Sequence, residues 1–305
     1  MRKVIVLLAT IPSAMATNNT DASVDKATNQ FIDYFSELAA DKDFAQAAYE
    51  EALSNLNITV EPDYEMQNIF KSMVSSGEIY VGKDGRIYVE AKTQFDRLEE
   101  LKKDMDFLNL LIDNGLYKVN SKFEASIDVK EYAKNASAKV KNEINEYVSE
   151  HVCSHESCSL MAAHTCSYTK VNLASICATN YSTIYNYFLY CVDLQTKYGD
   201  AIDPFAMTVA EWVAYVRPNA PWDYKATSTY GNNKTLCLTY SGATNSHQAM
   251  GGEFMGNYNY GYTGKILFSL TVLKTASWVL AYGYGDGANE HEDQVVITMG
   301  YNAAP

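Results

Sequence analysis

The chain of 305 residues contains no uninterrupted apolar run approaching the ~18–20 residues of a membrane helix. A transmembrane segment is therefore not expected. Positive charge is also scarce: 24 Lys and Arg stand against 37 Asp and Glu, a net charge of −13. Such a chain repels nucleic acid and anionic membrane at long range, which makes nucleic acid the less expected partner. Paired short cysteine knuckles are missing as well. The spacings are C-x4-C, C-x7-C, C-x10-C and C-x13-C, so although His155 and His164 fall among the cysteines, no zinc module is matched and no metal is expected. The D-x-D-x-D-G order of an EF-hand loop is absent too. Nothing in the sequence calls for a cofactor.

What is present begins at the N-terminus. Met1-Arg2-Lys3 leads into an apolar stretch, Val4 to Ile11, broken by Pro12 and followed by Ala14-Met15-Ala16. A basic end, a short apolar run and an A-x-A site describe a signal peptide over 1–16, so the protein is expected to be secreted, soluble and extracellular. The six cysteines, Cys153, Cys158, Cys166, Cys177, Cys191 and Cys237, fit that compartment and predict disulfides, with 15 connectivities open. Five N-x-S/T sequons, at Asn18, Asn57, Asn135, Asn180 and Asn233, predict glycosylation if the source is eukaryotic.

Composition divides the rest into three stretches. Residues 17–150 carry a net charge of −11, whereas 208–305 carry only −2. The first stretch reads as a helical domain. Phe31, Phe35 and Leu38 recur at helical spacing, with a stripe continuing through Phe44, Ala47, Ala48 and Leu53 until Pro62. Glu78 to Ala91 reads as a β-hairpin, with Ile79-Tyr80-Val81 and Ile87-Tyr88-Val89 flanking Gly82-Lys83-Asp84-Gly85. An amphipathic helix is predicted from about Thr93 to Asn114 and a second charged one from about Val129 to Val152. Residues 151–206 form a cysteine-rich connector whose NYSTIYNYFLYCVDL segment predicts a disulfide-pinned helix. From 207 onward lysine becomes rare while Gly, Tyr, Trp and Asn rise. The expected fold class is α+β, mostly helical: a helical N-terminal domain with one hairpin, a disulfide-rich connector and a compact C-terminal domain.

Three C-terminal segments combine residue types suited to chemistry. In Pro221-Trp222-Asp223-Tyr224-Lys225, an acid and a cation two apart would point to the same side of an extended segment, where the cation holds the carboxylate ionised. Gly256-Asn257-Tyr258-Asn259-Tyr260-Gly261 sets amides and aromatics between glycines that would let backbone approach a ligand. Tyr284-Gly285-Asp286 through Asp293-Gln294 is a polar stretch able to supply a second carboxylate. The histidines of this part, His247 and His291, are further candidates for a general base. The helix from Ile266 to Val279 is expected in the core.

In order and spacing these segments, VRPNAPWDYK, GNYNYGYTG and YGDGANEHEDQVVITMG, resemble the polymorphic toxin type 44 domain over 207–305. That family pattern runs V-R-P-G-G-P-W-D-Y-K, then G-N-F-N-Y-G-A-T-G, then Y-G-D-D-P-x-D-Q-x-x-I-x-x-G. Asn219-Ala220 replaces the glycine pair, and GANEHE replaces a short Asp-Pro turn, which leaves Asp286 and Asp293 as alternatives for one role. The resemblance implies a secreted toxin or antimicrobial effector with a hydrolase-like C-terminal domain. It implies Asp223, Lys225, Asp286 and Asp293 as catalytic, and Trp222, Tyr224, Asn257, Asn259 and Tyr260 as substrate-binding. The expected substrate is cell-wall glycan (peptidoglycan) of another cell, with an immunity partner in the producer. The alternatives are a ribonuclease toxin and a non-enzymatic killer-type toxin that binds surface glycan.

Overall fold

The computed structural model describes residues 21–92, 94–149, 168–231, 234–240, 248–284 and 290–305. The predicted signal peptide, Cys153, Cys158, Cys166, His155, His164, His247 and Asp286 lie outside these residues. Helix α1 (Asp21–Ala40) buries Ala27, Phe31, Ile32, Phe35 and Ala39, the face its apolar spacing predicts. Helix α2 (Lys42–Asn55) starts where Asp41 accepts the amides of Asp43 and Phe44, and α3 (Tyr64–Ser75) where Asp63 accepts that of Met66.

The predicted hairpin is present as β1 (Ile79–Val81) and β2 (Ile87–Val89), paired antiparallel with Tyr80 opposite Tyr88. Helix α4 (Leu98–Asp113) begins five residues later than expected. The Lys92 amide is committed to the Glu78 carboxylate and the Glu90 amide to the Glu78 carbonyl, which extends the hairpin up to the expected helix start. Buried Asn109 then ties α4 to β2, accepting from the Ile87 amide at 2.7 Å and donating to its carbonyl at 2.8 Å. A second hairpin, β3 (Tyr117–Val119) with β4 (Ala125–Ile127), corrects the expectation of one. The expected single helix after it is two, α5 (Val129–Asn135) and α6 (Ala138–Ser149), because Ala136 takes an extended ψ of 111°.

A three-stranded sheet joins β5 (Thr169–Asn172), β6 (Leu236–Thr239) and β7 (Gln248–Met250), with β5 parallel and β7 antiparallel to β6. Helix α7 (Leu173–Tyr198) is the 26-residue axis of the molecule. It is not disulfide-pinned: Cys177 and Cys191 are free, buried thiols, and burial raises the pKa of each. Cys237 is disulfide-bonded. Helix α8 (Pro204–Val216), started by the Asp203 cap and Pro204, is buried at every position from Pro204 to Tyr215. Helices α9 (Gly252–Gly264), α10 (Leu270–Tyr284) and α11 (Glu290–Ala303) complete the described chain. Of the helix expected in the core, Leu273 and Ala276 are buried, while Trp278 and Tyr282 lie exposed on the other face of α10.

The three stretches divided by composition share one core, which runs from Phe31 to Ala304. Phe35 of α1 meets Trp212 of α8 edge-on at 5.1 Å and Phe268 at 5.0 Å, and α1 packs along α10. Among the described residues no helix is long and apolar enough to cross a membrane.

Candidate functional site

The turn after α8 follows from its sequence. Pro218 forces Arg217 to an extended ψ of 159°, which ends the helix. Asn219 then takes a left-handed φ of 60° and turns its amide onto Asp223 Oδ2 at 2.9 Å. The Trp222 amide donates back to the Tyr215 carbonyl, and the two rings stack at 4.2 Å. The chain continues as a short 3-10 turn, Tyr224–Ala226, rather than as the extended segment expected.

Two close approaches bring the other segments to this turn. A Cβ on Gly252 would lie 2.4 Å from the Tyr230 carbonyl oxygen and 2.8 Å from that of Tyr224, so α9 starts pressed against the turn. Farther along, a Cβ on Gly261 would lie 2.1 Å from the Ile297 carbonyl oxygen, and one on Gly300 2.0 Å from that of Tyr258. Helices α9 and α11 therefore cross backbone to backbone, and only glycine allows it. GNYNYG, expected as a ligand-approaching glycine segment, is a helix, and Gly261 serves packing.

The result is a cleft between these segments. Trp222, Asp223, Lys225, Asn257 and Tyr260 all line it. Asn257 Nδ2 donates to Asp293 Oδ1 at 2.6 Å, so Asp293, which does not line the cleft, meets it only through Asn257. Lys225 Nζ stands 4.0 Å from Glu253 Oε1, so the carboxylate it faces on the cleft is Glu253. Asp223 is 9 % exposed and offers its carboxylate at the cleft wall. Tyr260 contributes only its ring, since its hydroxyl donates to the Leu273 carbonyl at 3.0 Å and burial raises its pKa well above the ordinary phenol value.

Tyr224 and Asn259 are corrections. Both are buried behind the cleft, where Asn180 Nδ2 of α7 donates to the Tyr224 hydroxyl at 2.8 Å and to Asn259 Oδ1 at 2.9 Å. Two residues apart on a helix, Asn257 and Asn259 cannot face the same way. Asn180 is thereby removed from the sequons open to glycosylation in the folded protein, whereas Asn57 and Asn135 are exposed. His291 sits exposed at the start of α11 and is not among the cleft residues.

Glu253, Phe31, Ser277 and Leu280 line the cleft without having been predicted. For Glu253 a signal existed: Glu253, Gly256 and Asn257 fall at i, i+3, i+4, one face of a helix, once the glycine-rich segment is read as helical. Phe31 and Ser277 come from other helices, and no local pattern announces them. Among the described residues no group of three or more His, Cys, Asp or Glu could hold a metal ion.

No family model, curated protein or solved structure matches the chain.

Proposed function

We propose that the protein is a secreted toxin or antimicrobial effector that hydrolyses a glycan, with the peptidoglycan of another cell as its substrate. One observation carries this reading: three separate segments of the chain converge on a single cleft lined by both carboxylates and aromatic side chains. Sugars stack their apolar faces on aromatic rings and offer hydroxyls to amides and acids. Glycoside hydrolysis needs two carboxyl groups, one to protonate the leaving oxygen and one to act on the opposite side of the sugar. Asp223 is the acid–base residue in this reading. Glu253, facing Lys225, is the second carboxyl group, and Asn257, held by Asp293, orients the sugar. The tyrosine and tryptophan rings form the walls.

The proposal includes export through the 1–16 signal, a disulfide-bearing connector over 151–206, and an immunity partner in the producing cell. Export and an extracellular glycan are mutually consistent, since the enzyme meets its substrate without crossing a membrane.

The test is release of soluble sugar fragments from purified peptidoglycan by the full chain. Asp223→Asn keeps an oxygen for the Asn219 amide and should fold normally, while the rate falls by roughly 100-fold or more. An unchanged rate would remove Asp223 from catalysis. Binding to peptidoglycan without any fragment release by the wild type would replace hydrolysis with the glycan-binding reading.

A further inference from the structure

Asp223 lines two clefts. The second is lined by Lys141, Arg217, Asn219, Asp223 and Thr227. The hydrogen-bond acceptors of its two cations are backbone carbonyls. Arg217 Nε donates to the Ala133 carbonyl at 2.5 Å and Nη1 to the Pro218 carbonyl at 3.1 Å. A guanidinium has five N–H donors, and no carboxylate pairs with this one among the described residues. Lys141 is 2 % exposed, donates to the Ala214 carbonyl and lies 4.5 Å over the Tyr215 ring. An ammonium has three donors. Burial lowers the pKa of both groups; at Lys141 the Glu211 carboxylate opposes the shift and the neighbouring Arg217 cation adds to it, and no carboxylate opposes it at Arg217. Two partly desolvated cations, with donors to spare, border a cleft whose one carboxylate, Asp223, already accepts from the Asn219 amide.

We propose that this second cleft is an anion subsite, in which Arg217 and Lys141 take the carboxylate of an acidic sugar whose neutral ring occupies the aromatic cleft that Asp223 also lines. The inference rests on the glycan reading and narrows it to glycan with free acid groups, which in peptidoglycan means muramic acid units whose lactyl carboxylate carries no stem peptide. A planar guanidinium fork suits a carboxylate, and charge-assisted bonds in a partly buried site are stronger than neutral ones.

The test is calorimetric titration of the full chain with N-acetylmuramic acid and with N-acetylglucosamine, which lacks the lactyl carboxylate. The acid should bind about tenfold more tightly. Arg217→Gln should remove that margin and leave the affinity for N-acetylglucosamine unchanged, while Arg217→Lys retains part of it. Should Arg217→Gln fail to fold by circular dichroism, the wild type still decides: the margin must shrink as salt rises. Inorganic phosphate must also compete with the acid and not with N-acetylglucosamine. Equal affinities for the two sugars, or a margin that survives Arg217→Gln, overturns the subsite and leaves glycan hydrolysis standing if fragments are still released. Phosphate stabilising the protein in an Arg217-dependent way while neither sugar binds overturns the glycan reading as well. RNA cleavage would then be the activity to measure.

Discussion

Asp104 and Asp223 are both carboxylates that folding withdraws from bulk water, and the molecule treats them in opposite ways. Asp104, on α4, is 1 % exposed and accepts from the Tyr190 hydroxyl at 2.8 Å, the Tyr198 hydroxyl at 2.8 Å and Lys197 Nζ at 3.2 Å. Lys197 in turn pairs with Asp193 at 2.6 Å and Glu100 at 2.8 Å. Burial alone would depress Lys197, but these carboxylates outweigh it and raise its pKa above the ordinary lysine value. Every charge in that centre has its counterpart, and what it does is join α4 to α7. Asp223 has a backbone amide on one oxygen and lines two clefts. A saturated buried acid holds structure together; an acid bonded at one oxygen and lining two clefts is available to a substrate.

The largest effect that would break this contrast is expected at the closed centre. Asp104→Ala leaves Tyr190 and Tyr198 without their acceptor and should cost about 3 kcal/mol in urea unfolding. Sugar release per folded molecule should not change. A loss of activity that outlasts the correction for unfolded protein would show that the two centres are coupled.

Gly300→Ala tests the frame of the open site. Its Cβ would lie 2.0 Å from the Tyr258 carbonyl oxygen, so α11 must move off α9. About 2 kcal/mol of stability should be lost. The Asn257–Asp293 bond, which spans the same two helices, should weaken, and substrate affinity with it. Normal affinity in the destabilised variant would separate the crossing from the cleft.

Glu211 lies between the two extremes. It is fully buried, Oε2 accepts from the Tyr132 hydroxyl, and Oε1 has no hydrogen-bond partner among the described residues. Burial raises its pKa above the ordinary 4.5, with Tyr132 and Lys141 opposing. The folded state then holds its proton more tightly than the unfolded chain. Its contribution is greatest below pH 4.5 and is lost as pH rises through the folded pKa. Glu100 has the opposite sign: the Arg97 hydrogen bond, then Lys197, holds it at about 2 against burial, so its stabilisation is present above the unfolded value and is lost as pH falls toward 2. Glu211→Gln should therefore gain stability relative to wild type as pH rises from 4.5, measured by urea unfolding across a pH series. A difference that does not change with pH would mean Glu211 titrates alike in both states.

The smallest effect is expected at an exposed pair. Lys102 and Glu99 are 3.0 Å apart on the surface of α4 with side chains 42 % and 71 % exposed. Lys102→Ala should change stability by less than about 0.5 kcal/mol. A larger loss would mean that the surface of α4 matters more than its buried acid implies.

Much of the first half was legible because its signals are local. Helix α1 shows its apolar face at 3.6-residue spacing, and β1–β2 shows two β-branched and aromatic runs around a glycine turn. The second hairpin carried a weaker signal, since its turn relies on Asn120 accepting the Lys122 and Glu124 amides and on Phe123 at a φ of 60°. GNYNYG departs from its expected form for a physical reason. Glycine and asparagine are poor helix formers, so propensity argues against α9, and the crossing with α11 overrides it. Within the candidate site, residue types in the three segments pointed to Trp222, Asp223, Lys225, Asn257, Tyr260 and Asp293. They could not separate these from Tyr224 and Asn259, because facing the cleft or facing Asn180 depends on helix phase and on where α7 lies.

Sequence by itself determined what depends on near neighbours: the apolar faces, the caps at Asp41, Asp63 and Asp203, the first hairpin, and the residue types from which a site can be made. The tertiary structure decided which of those residues meet. Backbone contact at Gly252, Gly261 and Gly300 sets three separate segments around one cleft, and the packing of α5, α6 and α8 places Lys141 and Arg217 on the second cleft that Asp223 lines. Such meetings arise from close packing between elements remote in the chain, and no spacing along a single segment encodes them.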